Sequence, residues 1–328
     1  MLLLFRNNQF TTAFWLALYV GLTHWAALGG TVRPEQLSPA QGGMLYEVLF
    51  GWMARHALYS SLAAAVLVYL QALLINSLAD QFRLLQERAW LPGMCYALTA
   101  AALPDFLLLS APLVAATFLP LALRRLFQSY QQTHGAAYVL DAALWVSVAA
   151  LFYPPAIYLL LAVAASILVM RSFNFREEWV LLIGALIPLM LAGLGFFWAD
   201  RTGEFIQSQF EGLMGLYRFQ IEPSVSNILK VVALVLLMSL VLLNSGRFYY
   251  RKLIQTQKCI TVLYWFMAIA GGSAILLRDL AVSHFLLLMP SAGIFLSLIL
   301  SGMRNRMIAE ITHLVLLGLV LFIQYLPR

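Results

Sequence analysis

Long apolar blocks separated by short charged junctions run the length of this chain, and that alternation limits what it can fold into. Asp, Glu, Lys and Arg supply only 34 of the 328 residues, 20 basic and 14 acidic. Ile228–Leu243 carries one charge and Phe285–Leu300 carries none. A soluble domain built from such blocks lacks the polar surface to cover its core. In lipid the same blocks are stable as helices, because a helix satisfies its own backbone hydrogen bonds. The blocks are continuous rather than alternating, which argues against a membrane β-barrel. The expected fold class is therefore all-α, a polytopic transmembrane helical bundle forming one domain over residues 1–328 with no separate soluble domain.

The blocks predict about eleven spans: Gln9–Leu28, Ala57–Leu78, Trp90–Leu103, Phe106–Leu123, Ala137–Phe152, Ala156–Met170, Trp179–Trp198, Ile228–Leu243, Cys259–Leu277, Val282–Ser301 and Ile311–Tyr325. Thr11–Leu28 exceeds a signal-peptide core and no A-x-A site follows it, so it is read as a span. Two pairs are tight, hinged at Pro104-Asp105 and at Tyr153-Pro154-Pro155, where fixed φ and missing donors break a helix. Losing either pair would leave nine spans. Pro188 predicts a kink. The longer loops cover about 29–55, with a short helix near Met44–Trp52, and about 199–227, with aromatic residues among charges that suit an amphipathic surface helix.

Basic residues orient the bundle. With the N-terminus cytoplasmic, 13 of the 20 Lys and Arg residues fall on the inner side and 7 on the outer. The expected topology is N-in and C-out. The net charge of +6 is spread singly or in pairs, so nucleic acid is not an expected partner.

Soluble-enzyme motifs such as a Walker A loop, HExxH, GxSxG or CxxC are absent. Cys95 and Cys259 lie within or at the edge of apolar blocks and read as core residues. His24, His56, His134, His284 and His313 have no metal-ligand spacing, so a structural role is the default for each. The outer side nevertheless gathers Glu35, Glu47, Arg55, His56, Asp105, Tyr153, Lys230, Arg278, Asp279 and His284. Asp105 lies between two apolar helices, where a carboxylate is costly unless it meets water, a cation or a partner. It also suits the N-cap of the fourth span. Arg278 and Arg55 can fork onto a phosphate or simply snorkel to headgroups. Asp141, near the inner end of its block, is expected to pair with Arg124 or Arg125.

Four segments together resemble the GT-C superfamily of membrane glycosyltransferases, which use polyprenyl-phosphate sugars. Val68–Arg88 resembles the family's second helix with its cytoplasmic amphipathic continuation. Leu91–Arg125 is similar to the paired helices with an outward acid between them. Asp141–Arg171 resembles the double short helix, with Tyr153 near its outward tip. Ser283–Leu300 is similar to the late aromatic-aliphatic helix running into Pro and small residues. Leu121–Met190 also resembles a family of bacterial polytopic inner-membrane proteins with no assigned activity. GT-C enzymes usually carry an acidic residue, often Asp or Asp-Glu, in the first outer loop soon after the first span, whereas this loop offers Glu35 and Glu47 but no Asp.

The resemblance implies a catalytic carboxylate among Glu35, Glu47 and Asp105, activating an acceptor hydroxyl or holding a divalent metal ion. It implies phosphate binding by Arg55, Lys230 and Arg278, and a polyprenyl-phosphate sugar as lipid partner. A degenerate, inactive relative fits the same features. The alternative is a non-enzymatic membrane subunit or scaffold of an envelope assembly system, with the outer loops docking a protein partner. Nothing resembles the inverted repeat of a secondary transporter.

Overall fold

The structure, a computed structural model, describes all residues except 7–10, 31–41, 133–134, 172–173, 211–212, 214–231, 233, 236–238, 240, 250–251, 278–280 and 326–328. The described helices are α1 (Leu2–Arg6), α2 (Thr11–Thr23), α3 (Trp25–Leu28), α4 (Met44–Ala54), α5 (Ala57–Gln81), α6 (Leu91–Ala100), α7 (Ala111–Ala116), α8 (Leu119–Gln128), α9 (Gly135–Phe152), α10 (Leu159–Met170), α11 (Phe175–Trp198), α12 (Thr202–Phe210), α13 (Ser245–Phe248), α14 (Ile254–Ser273), α15 (Met289–Gly302) and α16 (Arg306–Gln324). Three 3₁₀ segments, Pro104–Phe106, Pro154–Tyr158 and Val282–Leu288, precede α7, α10 and α15. The protein is a helical membrane protein, and no strand occurs among the described residues.

Proline sets many of the boundaries. Pro92, Pro112, Pro120 and Pro290 occupy the first turns of α6, α7, α8 and α15, where the missing N–H costs nothing. Helices α5 and α11 end in left-handed residues, Arg83 at φ 49° and Asp200 at φ 57°. The next amides reach back, Leu84 N to Ala79 O and Arg201 N to Phe196 O, both at 2.9 Å, and so close the helix ends.

At the centre lie α6 and α15. Every residue of α6, and every residue of α15 from Met289 to Leu300, is buried. Two glycines allow the backbones to approach. A Cβ on Gly293 would stand 2.6 Å from Tyr96 Cα, joining α15 to α6, and one on Gly93 would stand 2.9 Å from Ala72 O, joining α6 to α5. Small residues at crossings are the usual packing device where lipid removes the hydrophobic drive between helices. Helix α11 is peripheral, with Trp179, Leu182, Leu186, Leu191 and Trp198 exposed as a lipid-facing stripe.

Among the described residues, five helices are long and apolar enough to cross a membrane: Ala57–Gln81, Gly135–Phe152, Phe175–Trp198, Val282–Gly302 and Arg306–Gln324. The expected fourth span is divided into α7 and α8, separated at Thr117-Phe118 ahead of Pro120. The last span begins at Arg306 rather than Ile311, because Asn305 Oδ1 accepts from Met307 N at 2.9 Å and caps the helix five residues earlier. Most of the expected span Ile228–Leu243 lies outside the described residues. The break at Pro154-Pro155 is present as a 3₁₀ segment, and α11 continues through Pro188. Asp141 Oδ2 meets Arg125 Nε at 3.2 Å, the pairing expected from sequence. Cys95 and Cys259 are buried free thiols.

Tertiary contacts sort the junctions into two groups. At one end Phe5 O accepts from Trp90 N at 2.7 Å, and Lys252 Nζ donates to Leu84 O. At the other, Gly43 N donates to Phe152 O at 2.8 Å, and Gln324 Nε2 donates to Thr23 O and Ala101 O at 3.0 and 2.8 Å.

Candidate functional site

Between α6 and α7 the chain abandons regular helix while staying inside the protein. Leu103 is extended before Pro104 (φ −124°, ψ 149°), as the residue preceding a proline prefers. A short 3₁₀ turn follows, and all residues from Leu103 to Leu109 are buried. Such backbone is tolerated in a membrane protein only where other groups satisfy it. Side chains from distant elements brace this segment and the helix ends flanking it. Ser60 Oγ accepts from Leu109 N at 2.9 Å, and Tyr46 OH donates to Leu109 O at 3.1 Å. Gln324 Nε2 serves Ala101 O, and Gln71 Nε2 donates to Leu113 O at 2.8 Å and Thr117 Oγ1 at 2.6 Å. Tyr96 OH in turn donates to Gln71 Oε1, which holds the amide in that orientation.

Asp105 sits in the first turn of the 3₁₀ segment and is only 8% exposed. The N-cap expectation for it does not hold: α7 begins at Ala111 and Ser110 occupies its N-cap position. This segment packs on Val282–Leu288. There His284 is buried, with Tyr153 OH 2.9 Å from its Nδ1 and Ser273 Oγ 3.0 Å from its Nε2.

Helix α4 packs on α9 and α5 and reaches Leu109 through Tyr46. Gly43 abuts Leu151 O so closely that a Cβ would come within 2.2 Å of it. Gln209 of α12 donates to Ala150 O at 3.1 Å, tying a third element to that corner. Tyr46 faces inward to Leu109, so its neighbour Glu47 faces outward and is exposed. Arg55 follows the helix at its C-terminal end and is also exposed. The structure thus brings Glu47, Arg55 and Asp105 to one end of the bundle, with Asp105 inside and the other two on the surface. Glu35, Lys230 and Arg278 lie outside the described residues. Among those described, no three His, Cys, Asp or Glu side chains converge as metal ligands.

The polar tethers Ser60, Gln71, Tyr96 and Gln324 were not singled out in the sequence. Gln71 stands out as a lone amide inside an apolar block, but nothing local to any of the four names its partner. At the opposite end lies a cavity of about 800 Å³, lined by Arg6, Lys252, Arg304 and Arg306 among others. Glu47, Asp105 and Arg55 do not line it.

No protein-family model matches the chain, and no curated protein sequence matches it. Its fold does have a counterpart among solved structures, ArnT from Cupriavidus metallidurans bound to undecaprenyl phosphate. The TM-score is 0.53 at 13% identity, over 90% of this chain and 57% of that one. The fold is GT-C-like. The apo structure of the same ArnT aligns at a TM-score of 0.48 and 12% identity, over 90% of this chain and 56% of that one. The GT-C-like bundle therefore spans a little over half the length of the ArnT chain it matches.

Proposed function

We propose that this GT-C-like protein transfers a sugar from a polyprenyl-phosphate donor to an acceptor on the outer face of a bacterial inner membrane, or descends from an enzyme that did. The observation carrying this reading is the buried irregular segment around Asp105, a carboxylate in a stretch braced by polar side chains of α4, α5 and α16. Proteins accept the cost of such a segment mainly at working sites. In the reaction the acceptor oxygen attacks the anomeric carbon and gives its proton to a carboxylate, Asp105, Glu47 or Glu35. The bond from that carbon to the phosphate oxygen breaks, and the electron pair leaves with the polyprenyl phosphate. Arg55, Lys230 and Arg278 stabilise the negative charge on the departing phosphate. Glu35 and Glu47 are the side chains that would share a divalent ion if one takes part, and no step here depends on it. The proposed orientation is N-terminus cytoplasmic and C-terminus outside.

The scaffold reading is favoured by one feature. Helix α12, packed beside α4, exposes Ile206 and Phe210 to 53% and 56%, an apolar face suited to a leaflet or an envelope protein.

Purified protein supplied with a labelled polyprenyl-phosphate sugar tests the enzyme directly. Transfer that falls at least 100-fold in Glu35→Gln, Glu47→Gln or Asp105→Asn supports it. Full activity in all three variants removes the mechanism. No transfer, together with a stoichiometric copurifying protein, favours the scaffold.

A further inference from the structure

The cavity at the end opposite Asp105 has a chemistry of its own. Four junctions meet there, and each has a fixed place. The 82–90 turn holds α1 through Trp90 N to Phe5 O at 2.7 Å, and it accepts from Lys252 Nζ at Leu84 O. The Asn305 cap fixes the turn between α15 and α16. Arg6, Lys252, Arg304 and Arg306 line the cavity from these junctions, against one acidic lining residue, Glu87.

Topology alone accounts for basic residues at one end of a membrane protein, but not for four of them lining one cavity. Of the other arginines at this end, Arg125 pairs with Asp141 at 3.2 Å and Arg171 with Glu177 at 3.0 Å, while Arg83, Arg88, Arg124 and Arg176 carry no such pair among the described residues and do not line the cavity. Among the described residues, Arg6, Arg304 and Arg306 have no carboxylate within ion-pair distance. Lys252 is half-buried, and that burial lowers its pKa to about 8, so an anion beside it would favour its charged form. The lining also includes apolar Leu91, Phe248, Leu298 and Ile299 and polar Gln86, Asn244 and Ser301. Basic groups beside apolar and hydrogen-bonding side chains match a phosphate headgroup, with room for part of an acyl chain.

We infer that this cavity is a binding site for a phosphate group, at the opposite end of the bundle from the proposed transfer site and independent of it. Two sources supply the same chemistry: the phosphodiester of an anionic phospholipid and a soluble phosphate.

The delipidated full-length protein in detergent is titrated separately with phosphatidylglycerol, by native mass spectrometry, and with inorganic phosphate, by calorimetry. One phosphatidylglycerol should bind, with affinity falling at least tenfold in the triple variant Arg6→Gln, Arg304→Gln, Arg306→Gln and unchanged in Arg201→Gln at the other end. The double variant Arg304→Lys, Arg306→Lys keeps the charge and should keep most of the binding, which separates loss of the site from loss of the fold. Raising salt should weaken it. Binding of inorganic phosphate with the same arginine dependence, without phosphatidylglycerol, assigns the site to a soluble ligand. Wild-type protein that binds neither, or a triple variant that binds both as well as wild type, overturns the inference.

Discussion

The Tyr153 hydroxyl lies 2.9 Å from Nδ1 of His284, and the other ring nitrogen faces Ser273 Oγ at 3.0 Å and Ala270 O at 3.1 Å. One buried imidazole thereby joins the residue just ahead of the Pro154 break, the segment leading into α15, and the end of α14. Both residues belong to the outer-side set read from sequence, and the contact spans 131 positions of chain. It fixes the segment against which the Asp105 turn packs.

Tyr153→Phe removes one partner and leaves an imidazole nitrogen buried and unpaired, which costs about 1–3 kcal/mol. The unfolding midpoint of purified protein in detergent should fall accordingly. An unchanged midpoint would show that the contact carries no stability.

How far this was legible in sequence depends on how local the cause is. Pro154-Pro155 breaks a helix whatever surrounds it, and the Asp141–Arg125 pair spans one short polar tract; both were readable. The N-cap role of Asp105 was a local inference that failed, because Pro112 fixes the helix start beyond Ser110. The Asn305 cap was overlooked because the following charges resembled a loop. The tethers on 101–113 were illegible for a different reason. Gln324 reaches Ala101 across 223 positions and Thr23 across 301, so nothing near any one of them declares the contact. The basic cavity likewise assembles from four junctions far apart in sequence. For Glu35, Lys230 and Arg278 the sequence expectation stands as a proposal.

Gly293→Ala should be costly where Gly318→Ala is not. The added methyl at 293 would meet Tyr96 backbone at 2.6 Å, whereas nothing lies within 4 Å at 318. Overpacking between α15 and α6 should destabilise by about 1–3 kcal/mol. The change at 318 should be neutral, or stabilise by up to about 1 kcal/mol through helix propensity. Paired unfolding curves in detergent check both signs.

Two ion pairs of similar length should differ in worth. Glu177 and Arg171, 3.0 Å apart, have side chains 5% and 19% exposed, while Glu204 and Arg201, at 2.6 Å, are 59% and 47% exposed. Glu177→Gln takes the carboxylate from a largely buried guanidinium, which keeps only the Ser129 and Gln132 carbonyls, and should cost about 3 kcal/mol, the lower end of the range for breaking a buried pair. Glu204→Gln breaks a solvated pair and should cost roughly 0.5 kcal/mol or less. Equal effects in the two variants would contradict this ranking by burial.

The central claim, that a polyprenyl phosphate is handled at the Asp105 end, is tested most directly by photolabelling. A polyprenyl phosphate carrying a diazirine beside its phosphate is bound to purified protein, irradiated and mapped by peptide mass spectrometry. The account predicts labels on residues 42–57 and 101–113, reduced in Asp105→Asn or Arg55→Gln. Labels confined to the peptides bearing Arg6, Lys252, Arg304 and Arg306, with none around Asp105, would contradict it.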